Sequence, residues 1–346
     1  MTRLCDLLGI ERPIIQAPMA GSQGAALAIA VAQRGALGSL PTVLLDHAGV
    51  RDELARIRAA TTGPVNLNFF CHTSPVADPA REARWRARLA PYHAELGIAS
   101  PADAAGPGRA SFDAAHVALI VEVRPAVVSF HFGLPAPELL DAVKRTGATI
   151  LSSATTVAEA RWLEARGVDA IIAQGLEAGG HRGSFLSDDL TEQLGTFALV
   201  PQVVAATRVP VIAAGGIADA HGVRAALALG AAGVQVGTAF LRCPEATTSV
   251  LHRAALASER AIHTAVTNVM TGRPARSVVN RLIRELGPLA ADAPAFPLAA
   301  AALAGLRAAA EPHGDDGFTP LWAGQNASSC RDAPAGDLVD ALAAGL

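Results

Sequence analysis

Eight short apolar runs recur along the chain, spaced to leave room for a helix between most neighbours, and this alternation restricts the folds open to it. The runs are PIIQAP (13–18), ALGSL (36–40), PVNLNFF (64–70), AVVSFHF (126–132), ATILSS (148–153), VDAIIAQ (168–174), VPVIAAGG (209–216) and AGVQVGTAF (232–240). They are nearly continuous in hydrophobic residues, the pattern of parallel strands covered on both faces. Segments 22–34, 46–60, 111–123, 136–146, 156–166, 191–206 and 218–229 have helical character, and Ser22, Asp46 and Thr155 are expected as capping residues. Eight strands with helical crossovers predict an α/β fold of the (β/α)8 TIM-barrel type. An open doubly wound sheet is the weaker alternative, because the first strand–helix turn, APMAGSQG, lacks GxGxxG.

Two segments fall outside the repeat. Residues 71–110 form a long polar insertion rich in Pro and Arg. Residues 242–316 are too long for one closing helix; helices are expected near 244–263 and 298–310, joined by TNVMTGRPARSVVN. The predicted division is a barrel of residues 1–241 and 317–346, with 242–316 as a helical lid over its mouth. The final DLVDALAAGL reads as a helix on the barrel wall.

A length of 346 residues suits one large barrel, and 51% hydrophobic residues can fill its core. The net charge of −3, without a long charge run, makes no electrostatic case for nucleic acid or an anionic membrane. Cys5, Cys71, Cys243 and Cys330 are far apart and form no CxxC, so neither a disulfide framework nor a zinc site is expected. MTRLCDLLGIERP is unlike a secretory leader, and runs such as AALAIAVA and PLAAAALAGL fall short of the roughly 20 residues that span a bilayer. The expected location is a reducing cytoplasm.

In such a barrel the site forms at the C-terminal ends of the strands. Those ends carry QAPMAG, NLNFF with Asn66 and Asn68, SFHFG with His131, QGLEAGGHRG with Gln174 and His181, AAGGIAD, and QVGTAF. Gly215–Gly216 and Gly237–Thr238 follow the seventh and eighth strands, where barrels recurrently bind phosphate with backbone N–H groups. Backbone of strand one at Ala17 and Met19, with amides at Asn68 and Gln174, suits a phosphorylated planar cofactor, a demand that FMN meets. Asn66 is expected to face away from Asn68. Glu177 and Arg182 read as an ion pair or loop-shaping groups, and Arg273, Arg276 and Gln325 as either facing the site or supporting its rim. HGDD at 313–316 reads as a solvated turn, so no metal is expected, and Cys71 and Cys243 lack a positioned base.

On QAPMAG, NLNFF, SFHFG, QGLEAGGHRG, AAGGIAD, QVGTAF, TGRPAR and WAGQ, the chain resembles the nitronate monooxygenase (2-nitropropane dioxygenase) family, class I type. EAGGH is shared with FMN-containing enoyl-acyl-carrier-protein reductases; its combination with SFHFG, 50 residues earlier, favours the nitronate oxidisers. The resemblance implies FMN contacts at Asn68, Gln174, Gly179 with its neighbour Gly180, Gly216, Gln235, Val236, Gly237 and Thr238. It implies His181 as the active-site histidine and His131 as a second one facing substrate. Family members also bring lid tyrosines to the substrate, whereas this sequence has only Tyr92. The implied activity is oxidation of alkyl nitronates by O2 to a carbonyl compound and nitrite, with propionate 3-nitronate among the candidate substrates. A histidine can serve this chemistry protonated, stabilising the anion, or neutral, as a base towards a nitroalkane. Alternative readings are an NAD(P)H-dependent FMN reductase of enoyl thioesters or quinones, and a non-catalytic barrel that binds a phosphorylated ligand. The expected partners are a small nitronate or nitroalkane and O2, with no nucleic acid or membrane, in a monomer or homodimer.

Overall fold

Each apolar run supplies one strand, because a segment buried on both faces satisfies its backbone only by pairing with neighbours. A computed structural model describes residues 3–76, 78–99 and 110–346. Its strands are β1 (Ile14–Gln16), β2 (Gly38–Pro41), β3 (Val65–Phe70), β4 (Val127–His131), β5 (Thr149–Ala154), β6 (Ala170–Gln174), β7 (Gly180–His181), β8 (Val211–Ala214), β9 (Gly233–Val236), β10 (Thr264–Thr267) and β11 (Ala275–Val278). Eight of them form a parallel sheet in the order β1-β9-β8-β6-β5-β4-β3-β2. A parallel bridge between Ile15 and Leu37 joins the outer two, with the Gln16 N–H donating to Leu37 O at 2.9 Å. The fold is a (β/α)8 barrel.

The barrel interior is polar near β1 to β3. Gln16, Ser39 and Asn66 are buried there, and Asn66 Nδ2 donates to Ser39 Oγ at 3.0 Å. Asn66 therefore does not face away from Asn68: residues two apart on a strand share a face, and both amides bond inside the barrel. Gly38 is needed where the helix at Ala25–Ala32 crosses β2, since a Cβ there would lie 2.4 Å from Ala28 O.

Of the expected caps, Asp46 accepts from Gly49 N at 2.7 Å. Ser22 and Thr155 do not cap. The helix expected at 22–34 starts at Ala25 after Gly24, and Thr156 caps the helix Val157–Ala165 while Thr155 donates to the buried Glu159 carboxylate. The C-terminal helix Ala335–Ala343 packs Ala335, Val339 and Leu342 into the barrel core.

Helices Val250–Ala257, Arg281–Leu286 and Leu298–Ala310 lie between barrel strand β9 and the C-terminal segment. The joining stretch is not a loop: β10 and β11 pair antiparallel, and β11 pairs in turn with β7, Ala275 opposite His181 and Arg276 opposite Gly180. The insertion also contributes a helix, Pro79–Glu95, capped by Asp78. Its Trp85, Leu89 and Tyr92 share one apolar cluster with Val269, Met270, Leu282, Leu303, Leu306 and Phe318. Within the insertion, residues 77 and 100–109 lie outside the described residues. No helix among the described residues is long and apolar enough to cross a membrane.

This second cluster sets a stability expectation. Leu89 is fully buried in it. Leu89→Ala is expected to cost about 2–5 kcal/mol in urea unfolding. A loss below about 0.5 kcal/mol, the level of an ordinary surface substitution, would show that the helix is not held by this packing.

Candidate active site

After β6 the chain must turn within a few residues, and QGLEAGGHRG does so by folding on its own polar groups. Gly175 abuts Thr196, whose backbone N would lie 2.4 Å from any Cβ added there. Arg182 is fully buried and spends its guanidinium on the loop: Nη2 donates to Gln174 O at 2.8 Å, Nη1 to Gly175 O at 2.8 Å and Nε to Gln193 Oε1 at 2.7 Å. Burial, with Arg276 nearby, pushes its pKa down to about 9. The Gln174 side chain bridges the same loop, donating to His181 O at 3.0 Å and accepting from Gly183 N at 2.8 Å. Glu177 does not pair with Arg182. Its carboxylate accepts from Thr196 N and Oγ1 at 2.7 and 2.9 Å, so both charged residues shape the loop.

This folding delivers His181 to the barrel mouth. Its Nε2 lies 2.9 Å from Thr271 Oγ1, and the rings of Phe296 and Trp322 stand 5.3 Å from it, with Phe132 at 6.0 Å and Phe70 at 6.3 Å. His131, at the end of β4, reaches the same loop from beneath. Its Nδ1 is 2.8 Å from Ser153 Oγ and its Nε2 3.2 Å from His181 O. Burial first, then the Arg273 cation, pushes the His131 pKa down to about 3, so its ring is neutral. A carbonyl can only accept, hence Nε2 carries the proton and Nδ1 accepts from the Ser153 hydroxyl. Phe132 follows with φ +70°, a left-handed conformation rare for a bulky residue, which sets its ring against His131 at 4.5 Å.

A cavity opens above these groups. Ala17 and Met19 from the first turn line it, with Asn68, Gln174, Gly179, Gly180 and both histidines. Gly215, Gly216, Gln235, Gly237 and Thr238 form its opposite wall. Gly215 and Gly216 take φ of +119° and +75°, and a Cβ on Gly179 would meet Gly324 N at 2.5 Å. Asn68 Nδ2 is held by Ser129 Oγ at 3.0 Å. Gln235 Oε1 is buried without a protein partner. The Val236 side chain is packed in the barrel core, and its carbonyl accepts from Ala17 N at 2.8 Å. The alternation of β9 turns Gln235 and Gly237 to the cavity and Val236 away from it.

Other candidates lie elsewhere. Arg273 donates to Ser184 O and lies over the Phe132 ring, 4.1 Å from its centroid, while Arg276 donates to Leu176 O at 3.0 Å. Neither is in the cavity wall. Gln325 is exposed, and its neighbours Gly324 and Asn326 face the cavity instead, Asn326 Nδ2 donating to Gly216 O at 2.9 Å. Tyr92 is buried against Phe318 in the second cluster. Asp315 accepts from Gly317 N at 2.7 Å and Asp316 pairs with Arg260 at 2.7 Å. Burial raises the thiol of Cys71 and pushes that of Cys243 up to about 12. Sequence reasoning did not single out Ser129, Ser153, Thr271, Trp322 or Asn326. The serines stood at strand ends and were available to it; Thr271 becomes visible only through the pairing of β11 with β7.

The barrel carries a cavity lined by glycines and two histidines at its strand ends, the architecture of a (β/α)8 enzyme. The chain belongs to the nitronate monooxygenase family, whose profile matches residues 1–345. It is 45% identical over 342 residues, 98% of this chain and 93% of the relative, to a nitronate monooxygenase of Paraburkholderia phytofirmans. The solved structure of a nitroalkane oxidase from Streptomyces ansochromogenes superposes with a TM-score of 0.90 at 40% identity, covering 99% of this chain and 96% of that one. FabK of Thermotoga maritima shares the architecture less closely, with a TM-score of 0.73 at 27% identity over 99% of this chain and 94% of its own.

The neutral His131 has a consequence for acid stability. Its pKa is about 3 in the fold against an ordinary 6.5, so within that window the unfolded chain binds the extra proton. Stability from this site is fully present above the unfolded value and falls as the pH drops towards the folded one. Between about pH 7 and about pH 5, His131→Gln is expected to lose less of its urea midpoint than the native chain. Equal losses in the two proteins would place the ring in a solvated, titrating environment.

Proposed function

We propose that this enzyme oxidises alkyl nitronates with O2 on bound FMN, yielding a carbonyl compound and nitrite. The observation that carries the reading is the placement of the His181 imidazole at the edge of a cavity with a glycine-rich wall and a buried, unpartnered acceptor, Gln235 Oε1. These residues fit a flavin. The backbone of Gly215, Gly216, Gly237 and Thr238 would hold the phosphate, as glycine-rich turns at strand ends do. Gln235 and Asn68 would meet the polar edge of the ring system, whose N–H needs an acceptor. Ala17, Met19, Gly179 and Gly180 would let the plane approach the backbone closely.

Flavin supplies the one-electron and oxygen chemistry, and the protein supplies placement and charge. His181 would receive the anionic nitro group, with Thr271 Oγ1 at 2.9 Å from Nε2 fixing its ring. His131 acts one step away. Held neutral, it donates to the His181 carbonyl and so orients the loop; it is a positioning residue in this reading. The aromatic rings around His181 keep water from the reacting carbon.

The stronger likeness to the nitroalkane oxidase than to FabK supports oxidation over an NAD(P)H-dependent reductase. Purified protein showing oxidised-flavin absorbance, with nitrite released from alkyl nitronates under air and without NADH, is the expected result. Rapid anaerobic bleaching by NADH without nitrite release would establish the reductase instead. His181→Ala is expected to keep its flavin absorbance and lose about 10²- to 10⁴-fold in nitrite release. Native turnover in that variant would falsify the assignment.

A further inference from the structure

Glu159 is a buried acid that the proposed reaction does not use. In the sequence, Thr156-Val157-Ala158-Glu159 has the capping-box pattern, in which the glutamate would turn back to the N–H of Thr156. Thr156 does cap its helix, its hydroxyl accepting from Glu159 N at 3.2 Å, but the carboxylate goes elsewhere. Oε2 accepts from Thr155 N at 2.6 Å and from Thr155 Oγ1 at 2.8 Å. Oε1 accepts from Phe185 N at 2.6 Å and from Leu186 N at 3.2 Å. All four donors are neutral groups. The anion lies in the first turn of the helix Val157–Ala165, where the backbone dipole favours negative charge.

The two segments joined in this way are those that enclose His131. Thr155 stands two residues beyond Ser153, whose Oγ lies 2.8 Å from His131 Nδ1. Phe185 stands two residues beyond Gly183, where a Cβ would lie 2.9 Å from His131 Cε1 and 3.0 Å from Ser153 Cβ. The His131 ring therefore sits in a slot between Ser153 and the backbone of Gly183, with Nε2 directed at the His181 carbonyl. Ser153 and His131 belong to the cavity wall and Glu159 does not. Resting on the function proposed above, we propose that Glu159 is a positioning residue for the reaction. Its carboxylate clamps Thr155 to Phe185 and Leu186, and so holds the His131 ring on the His181 carbonyl. Glutamine has the same shape but a single acceptor oxygen, so one pair of buried donors would face its NH2 group.

The test uses Glu159→Gln in the FMN-loaded enzyme. Flavin affinity, read from the quenching of flavin fluorescence, is expected to stay within about twofold of native, while kcat for nitrite release from ethyl nitronate falls about tenfold with KM little changed. In a His131→Gln background the same substitution is expected to change kcat by less than about twofold, because residues that act as a unit are not additive. A further loss of about tenfold on top of His131→Gln overturns the proposal. A second measurement needs no turnover. With heavy-nitrogen-labelled histidine, the His131 ring resonances are identified as those lost in His131→Gln. They are expected to show one protonated and one bare nitrogen in the native protein, and to shift towards each other in Glu159→Gln. Unchanged His131 resonances in that variant overturn the proposal as well. Where Glu159→Gln does not fold, Thr155→Val takes its place, removing one donor and keeping the charge. It is expected to lower kcat about two- to threefold and to shift the same resonances, and native values for both overturn the proposal. Absence of nitrite from the native enzyme, with the His131 resonances still shifted in Glu159→Gln, defeats the proposed reaction and leaves the clamp standing.

Discussion

One buried cation organises the rim of this barrel. Arg182 has no carboxylate in salt-bridge contact among the described residues, and its charge is met by the carbonyls of Gln174 and Gly175 and by the Gln193 amide. Placing a guanidinium away from water is costly unless its donors are used, and here all three of its nitrogens bond acceptors. The arrangement ties the end of β6 to a residue eight positions later, so the glycine-rich segment between them is a closed loop. The flexibility that glycine lends the backbone is removed by a side chain at the loop's own end.

From that closed loop the rest of the site follows. With Gln174 and Arg182 fixed, the two-residue strand β7 is presented at a height where β11 can add to it, and the Arg182 N–H reaches Pro274 O at 2.8 Å. The segment between β9 and the C-terminal residues is thereby joined to the barrel through backbone pairing at the very residue, His181, that faces the cavity. Thr271 arrives on the same chain turn. The β7–β11 pairs and the Thr271 contact to the imidazole therefore come from the same segment.

The two histidines differ in their partners rather than in their exposure. His131 sits beneath the loop, neutral, with both ring nitrogens bonded, and it acts on the cavity through the His181 carbonyl. His181 stands at the cavity edge among aromatic rings. Both rings border the cavity, His131 held by Ser153 and the His181 carbonyl and His181 held by Thr271.

Much of this was legible in the sequence. The eight apolar runs mark the eight barrel strands, and the glycines and amides at their ends line the cavity, since strand periodicity and the polarity of strand ends are local properties written in consecutive residues. For Asn66 the expected face was reversed, and for Gln325, which the motif left open, the direction of the side chain was set only by the fold. The β10–β11 pair escaped notice because TAVT and ARSV are four-residue strands carrying polar residues, and β11 finds its second neighbour in β7, far away in the sequence. By itself the sequence determined the barrel, its strand order and the chemistry available at the rim. Only the tertiary structure decided which of those polar atoms are consumed in holding the loop and which remain turned to the cavity. The partners that decide it, such as Thr271 for His181 at a separation of 90 residues, come together only once the barrel has closed.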